Sequence, residues 1–140
     1  MAKALFEEMR GKTALVTGAT SGIGASAVFA LVEQGVQVAF VGRRQQEGKG
    51  LEKKITDLGG KGLFIQADVS QAKSVQKMLK KATDAFGPLH YILNNAGIEG
   101  TLAPLHKLEE KDFDELMGIN LKGVWLCLKY QLESLEIIPR

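Results

Sequence analysis

One cysteine, three prolines and few aromatic side chains set the first limits on this chain of 140 residues. Cys127 stands alone, so an internal disulfide is excluded, which fits a reducing compartment. No stretch approaches the roughly 18 apolar residues that a membrane span requires. The N-terminal MAKALFEEMRGK carries acids where a secretory leader needs an apolar run. The expectation is a cytoplasmic protein that does not engage a membrane. Charge of one sign is also missing. Eighteen basic and sixteen acidic side chains leave a net +2, too small to argue for nucleic acid as a partner. His90 and His106 have no companions at ligand spacing, so no metal site is expected. Repeats, low-complexity tracts and linkers are absent as well. At this length one domain, residues 1–140, is the simplest organisation.

What the chain has in quantity is glycine, sixteen in all, and many sit where apolar runs end. KTALVTG (Lys12–Gly18), VQVAFVG (Val36–Gly42), GLFIQA (Gly62–Ala67) and LHYILNN (Leu89–Asn95) read as strands. Helical spacing fills the intervals. Ile23, Ala27 and Leu31 mark one helix, stopped by Gly35, and Leu51, Ile55 and Leu58 mark a second, closed by Gly59 and Gly60. Ser70 is placed to cap a third, with Val75, Met78, Leu79, Ala82 and Phe86 on one face. A loop with Gly97, Gly100 and Pro104 precedes a last helix starting near Leu108, where Glu109, Glu110 and Asp112 favour its positive end. Strands alternating with helices indicate an α/β fold, a doubly wound parallel sheet of Rossmann type.

The first strand runs into TGATSGIG, Thr17–Gly24. Gly18 can turn the chain out of the strand. Gly22 leaves the backbone open to a ligand, and Gly24 lets the helix pack closely on the sheet. The helix N-terminus then offers free N–H groups to a pyrophosphate. The spacing is Gly-x-x-x-Gly-x-Gly, and no Gly-Lys-Ser/Thr follows, so it is not a P-loop. A glycine-rich turn alone is weak evidence of a ligand. The second strand ends in VGRRQ, with Gly42 where an acid would hold an NAD ribose hydroxyl. Arg43 and Arg44 follow, and a guanidinium can clasp a 2′-phosphate. Two arginines at a strand end are also compatible with plain solvation, so the missing acid carries more weight. On the last helix, Asn120 shares a stripe with Phe113, Met117 and Val124. A buried amide there needs partners, and backbone groups of the core can supply them.

TGATSGIG resembles the cofactor signature of the short-chain dehydrogenase/reductase family. NNAG at Asn94–Gly97 is similar to that family's second motif, and ADVS at Ala67–Ser70 to its adenine-contacting segment. GINLKGV at Gly118–Val124 resembles the segment with the family's helix asparagine, Asn120 here. The likeness runs from about Gly11 to about Gln131. It implies that Gly18, Ser21, Gly22, Ile23 and Gly24 lie along the diphosphate of a nicotinamide dinucleotide. By the same resemblance Asp68 and Val69 flank the adenine, and Asn94, Ala96 and Gly97 serve the ribose side. Asn120 would hold a relay water. With Arg43 and Arg44, the expected cofactor is NADP(H) rather than NAD(H).

The family's chemistry rests on a Tyr-x-x-x-Lys pair and an upstream serine. Neither Tyr91 nor Tyr130 has a lysine four residues on. The resemblance therefore implies the N-terminal, cofactor-binding half of an oxidoreductase, truncated after the fourth strand and its following helix, and inactive alone. The alternative is a non-catalytic nucleotide-binding or subunit-pairing module. The expected strand order is 3-2-1-4, which leaves the fourth strand as an edge. That edge and the apolar VWLCL at Val124–Leu128 point to a homo-oligomer or another association. Trp125 and its leucines suit packing, and Cys127 suits a buried small residue rather than a nucleophile.

Overall fold

A computed structural model describes residues 6–134. Four parallel strands form one sheet: β1 (Thr13–Thr17), β2 (Gln37–Gly42), β3 (Gly62–Gln66) and β4 (Tyr91–Leu93), in the order β3-β2-β1-β4. Every residue of β1 is buried, as expected of a strand covered on both faces. The helices are α1 (Gly22–Glu33), α2 (Gln45–Asp57), α3 (Ala72–Phe86), α4 (Glu110–Met117) and α5 (Val124–Ser134). Strand alternation sorts the core into two layers. Ala14, Val16, Val38, Phe40 and Phe64 face Val28 and Val32 of α1 and Leu51 and Ile55 of α2. Leu15, Ala39, Val41 and Ile65 face Val75, Met78 and Leu79 of α3 and Leu126 and Cys127 of α5. The doubly wound sheet and its strand order agree with the sequence pattern.

Three local expectations change. Ser70 does not cap α3: Gln71 holds that position, and the Ser70 hydroxyl donates instead to Asp68 Oδ1 at 2.7 Å. β4 is shorter than the apolar run, because only Tyr91, Ile92 and Leu93 find partners, opposite Ala14, Leu15 and Val16. His90 still ties the start of that run to β1, its N–H donating to Thr13 O and its Nδ1 accepting from Thr13 N.

The last helix differs most. α4 and α5 are separated by a π-helical stretch, Gly118–Gly123. Its wider i→i+5 turn shifts the helical phase. The buried side is consequently Ile119, Gly123, Leu126, Cys127 and Gln131, whereas Phe113 of the expected stripe is exposed. The tail that follows, including Leu135 to Arg140, lies outside the described residues. Among the described residues no helix is long and apolar enough to cross a membrane.

Candidate cofactor site

The carboxyl ends of all four strands meet at one rim. At the end of β1, Gly18 takes φ +64°, and a Cβ there would sit 2.6 Å from Ala96 Cα. Glycine is therefore required for both conformation and space. Gly22 also has positive φ, but nothing lies within 4 Å of its missing side chain, so the backbone is open. Gly24 is buried, and a Cβ on it would press to 2.7 Å from Asn95 Nδ2. Ser21 occupies the cap of α1 in extended conformation without a side-chain cap bond. The first-turn N–H groups of α1 are thus left to a ligand or water, at the positive end of the helix dipole.

The Ser21 hydroxyl turns elsewhere. Arg44 Nη2 donates to Ser21 Oγ at 2.8 Å and to Thr20 Oγ1 at 3.1 Å, while Nη1 lies 3.5 Å from Glu47 Oε1. The exposed guanidinium is therefore held over the glycine turn. The Arg43 carbonyl accepts from Gln66 Nε2 at 2.9 Å, which fixes the backbone beyond β2 against β3. Past β3, Asp68 Oδ1 accepts from Ser70 N at 2.9 Å as well as from its hydroxyl, and Asp68 N donates to Ser74 Oγ. These bonds set the turn out of β3, and Val69 is buried beneath Gly123.

At the end of β4 the two asparagines divide the work. Asn95 Nδ2 donates to Thr17 O and Gly18 O, and the Asn95 and Ala96 N–H groups both donate to Thr17 Oγ1 at 3.1 Å. Asn95 thus locks β4 to the glycine turn, a role that no periodicity in the sequence singles out. Asn94 forms a reciprocal amide pair with buried Gln131 of α5, both bonds 2.9 Å. Asn120 is exposed rather than buried, and it does find backbone partners. Its Oδ1 accepts from Ile98 N at 2.8 Å and its Nδ2 donates to Ile98 O at 2.7 Å. The π-helical stretch therefore holds the loop after β4 in place.

A cavity of about 250 Å³ opens between these ends. Of the residues expected at a cofactor, Gly18, Ser21, Arg43, Arg44, Asp68, Val69, Ala96 and Gly97 line it. Gly22, Ile23 and Gly24 form the first turn of α1, Ile23 being strongly exposed, and Asn94 is engaged with Gln131. The lining adds Thr20, Val41, Gly42, Ala67, Ile98 and Ile119. Thr20, Gly42, Ala67 and Ile119 lie within motifs visible in the sequence, whereas Ile98 follows NNAG and reaches the cavity only through folding. Among the described residues no group of His, Cys, Asp or Glu side chains gathers as a metal set. Away from the cavity, burial pushes the Cys127 thiol up to about 11. The Asp112 carboxyl is lowered, first by the Thr101 hydroxyl and then by the Glu109 N–H.

This arrangement has parallels among known proteins. The family model for short chain dehydrogenases matches residues 12–137. A short chain dehydrogenase/reductase, astE, of Aspergillus oryzae is 38% identical over 128 residues, covering 91% of this chain and 49% of that protein. A 3beta-hydroxysteroid dehydrogenase of Mediterraneibacter gnavus is 32% identical, covering 89% of this chain and 45% of that protein. A 3-ketoacyl-ACP reductase from Sinorhizobium meliloti superposes with a TM-score of 0.84 at 34% identity, over 87% of this chain and 48% of that one. A short chain dehydrogenase/reductase from Burkholderia phymatum, solved in complex with NAD, gives 0.88 at 26% identity, over 94% of this chain and 46% of that one. The chain thus spans about half the length of these relatives. With the model match covering most of its length, the chain belongs to the short-chain dehydrogenase family.

Proposed function

We propose that this chain is the cofactor-holding part of a nicotinamide-dependent oxidoreductase, with NADP(H) preferred over NAD(H). The observation that carries the reading is the combination at the end of β2. Gly42 offers no acid to a ribose hydroxyl, and Arg43 and Arg44 line the same cavity. The cavity fits such a group in other respects. The α1 N-terminus is uncapped and Gly22 leaves it unobstructed, as a diphosphate requires.

In this reading Gly18, Ser21, Gly22, Ile23 and Gly24 hold the diphosphate, and Arg43 and Arg44 hold a 2′-phosphate. Asp68 and Val69 border the adenine, while Asn94, Ala96 and Gly97 support the ribose side. The bound dinucleotide would supply or accept a hydride. Asn120 fixes the loop at Ile98, and in the relay reading it also steadies a water. No Tyr-x-x-x-Lys pair is present to move a proton at a substrate oxygen. General acid–base assistance contributes roughly 10²–10⁴-fold, so the chain by itself is expected to lack turnover. The setting is cytoplasmic, without a metal, a membrane or nucleic acid.

The test is a fluorescence titration with NADPH and NADH, paired with an NADPH-oxidation assay over aldehydes, ketones and quinones. Tighter binding of NADPH, by about 10- to 100-fold for hydrogen bonds to a charged phosphate, with no turnover above buffer, supports the proposal. Equal or tighter NADH binding contradicts the cofactor assignment. Robust turnover abolished by Asn120→Ala contradicts the expected inactivity.

A second reading, a subunit-pairing module, is favoured by one specific observation. Phe113, Leu121, Trp125, Leu128 and Leu132 are all exposed along α4, the π-helical stretch and α5. β4 also has a free edge among the described residues, beside an apolar groove of about 310 Å³ bounded by Ala27, Ala30 and Leu31 of α1. Light scattering after size exclusion should give a mass above one chain. A monodisperse monomer at all concentrations would argue against association through either surface.

A further inference from the structure

The hydrogen bonds of Arg44 run through Thr20, a residue with no role so far in holding the cofactor. Thr20 lies between the end of β1 and the end of β2, half-buried, and lines the cavity. Its two branches face different neighbours. Oγ1 accepts from Arg44 Nη2 at 3.1 Å. Cγ2 occupies the space above Gly42: a Cβ built there would overlap it, with Thr20 Oγ1 at 3.2 Å and Cβ at 3.3 Å. Gly42 is itself buried, at the last position of β2, where Val41 O also holds the Ala19 N–H at 2.9 Å. The two backbones are thus clamped together, and the clash cannot be relieved by separating the strand from the turn. Thr20 could relieve it only by rotating its side chain, which would break the Arg44 bond.

We infer that Thr20 is the specificity-determining residue of this site: its methyl excludes any side chain at position 42, and its hydroxyl positions Arg44. The inference rests on the reading of the site as one for a 2′-phosphorylated dinucleotide and adds the residue that sets the preference. An acid at 42, the simplest device for gripping a free ribose hydroxyl, cannot enter while the Thr20 methyl is present. The same residue turns the guanidinium toward the rim, where a phosphate would meet it with charge-assisted bonds. Thr20 therefore couples the exclusion of one recognition mode to the support of the other. Ser21 is the second anchor of Arg44, but the three atoms nearest a Cβ at Gly42 all belong to Thr20.

The experiment separates the two branches in the full chain. Thr20→Val keeps a methyl and removes the hydroxyl, and Thr20→Ser does the reverse. Each is titrated calorimetrically with NADP+ and with NAD+, which differ only in the 2′-phosphate. Thr20→Val should weaken NADP+ about tenfold, as expected for one lost bond to a charged group, and leave NAD+ nearly unaffected. Thr20→Ser should restore most of the lost ratio. Gly42→Asp is then made both in the parent chain and together with Thr20→Ser, and each product is followed by thermal unfolding. With threonine retained, the aspartate should lower Tm and gain no NAD+ affinity. Combined with Thr20→Ser, the Tm penalty should shrink and NAD+ should bind more tightly than NADP+. An unchanged nucleotide ratio in Thr20→Val, or an equally stable Gly42→Asp that turns to NAD+ with Thr20 in place, would overturn the inference. Equal NADP+ and NAD+ affinities in the unmodified chain would instead overturn the cofactor reading beneath it. The unfolding comparison would still report on the contact between Thr20 and Gly42.

Discussion

The buried threonine at the end of β1 carries more than its size suggests. Thr17 Oγ1 accepts from the N–H groups of both Asn95 and Ala96, so one hydroxyl satisfies two backbone donors. Thr17→Val keeps the shape and removes both bonds, but the Asn95 N–H retains Leu93 O at 3.1 Å, so the Ala96 N–H is the donor that loses its partner. At about 1–3 kcal/mol for one unsatisfied group, the change should be measurable in urea unfolding, whereas a loss under about 0.5 kcal/mol would mean that water replaces the hydroxyl. Cys127 gives a second expectation at this scale. Its thiol is pushed up to about 11 by burial alone, and the thiolate is the reactive form. Iodoacetamide at pH 8 should leave the native protein unmodified by mass and label it after unfolding. Because the folded value is raised, this group's contribution to stability is complete below the ordinary thiol range and is lost as pH rises toward 11. Rapid labelling of the native chain at pH 8 would show that α5 does not hold the sulfur against the core.

Among the elements, the strands are legible in the sequence and the last helix is not. β1 and β2 are continuous apolar runs bounded by glycine, a pattern that only a strand covered on both faces explains well. The cofactor rim follows from them, since TGATSGIG, VGRR, ADVS and NNAG all stand at strand ends. The π-helical stretch is invisible because the glycines of Gly118–Gly123 signal a weak helix without specifying an i→i+5 turn, and what accompanies the phase shift is long-range: packing on Val69 and the pairing of Asn120 with Ile98. The role of Asn95 is hidden for a related reason: its partners, Thr17 and Gly18, are far away in sequence. α4 offers its own test. Glu109 and Asp112 close a reciprocal capping box, and Asp112 also accepts from Thr101 Oγ1 at 2.7 Å. Its carboxyl is lowered by these bonds. Stabilisation from this group is therefore present above the unfolded carboxylate value and lost as pH falls through the lower folded one. Asp112→Asn should lower the amide protection factors at the start of α4 at neutral pH, and acidification of the parent should lower them too once the intrinsic slowing of exchange in acid is divided out. Protection factors insensitive to both changes would mean that the box does not hold the helix start.

For the molecule as a whole, the sheet brings sequence-distant segments to one rim. Parallel strands with crossover helices place every strand's carboxyl end on the same side, and here the four ends enclose a cavity of about 250 Å³. The same topology leaves β4 at the sheet edge among the described residues and an apolar face along α4 and α5. The cavity and these apolar surfaces are therefore separate, and a substitution in one should leave the other unchanged. The most direct measurement is a backbone-amide NMR titration of the isotopically labelled chain with NADP+. Saturable shifts should cluster at Gly18–Gly24, Arg43–Arg44, Asp68–Val69 and Ala96–Gly97, with the exposed side of α5 unaffected. Shifts scattered over the surface, or concentrated on α5 and the β4 edge with the glycine turn silent, would contradict a cofactor site at the rim.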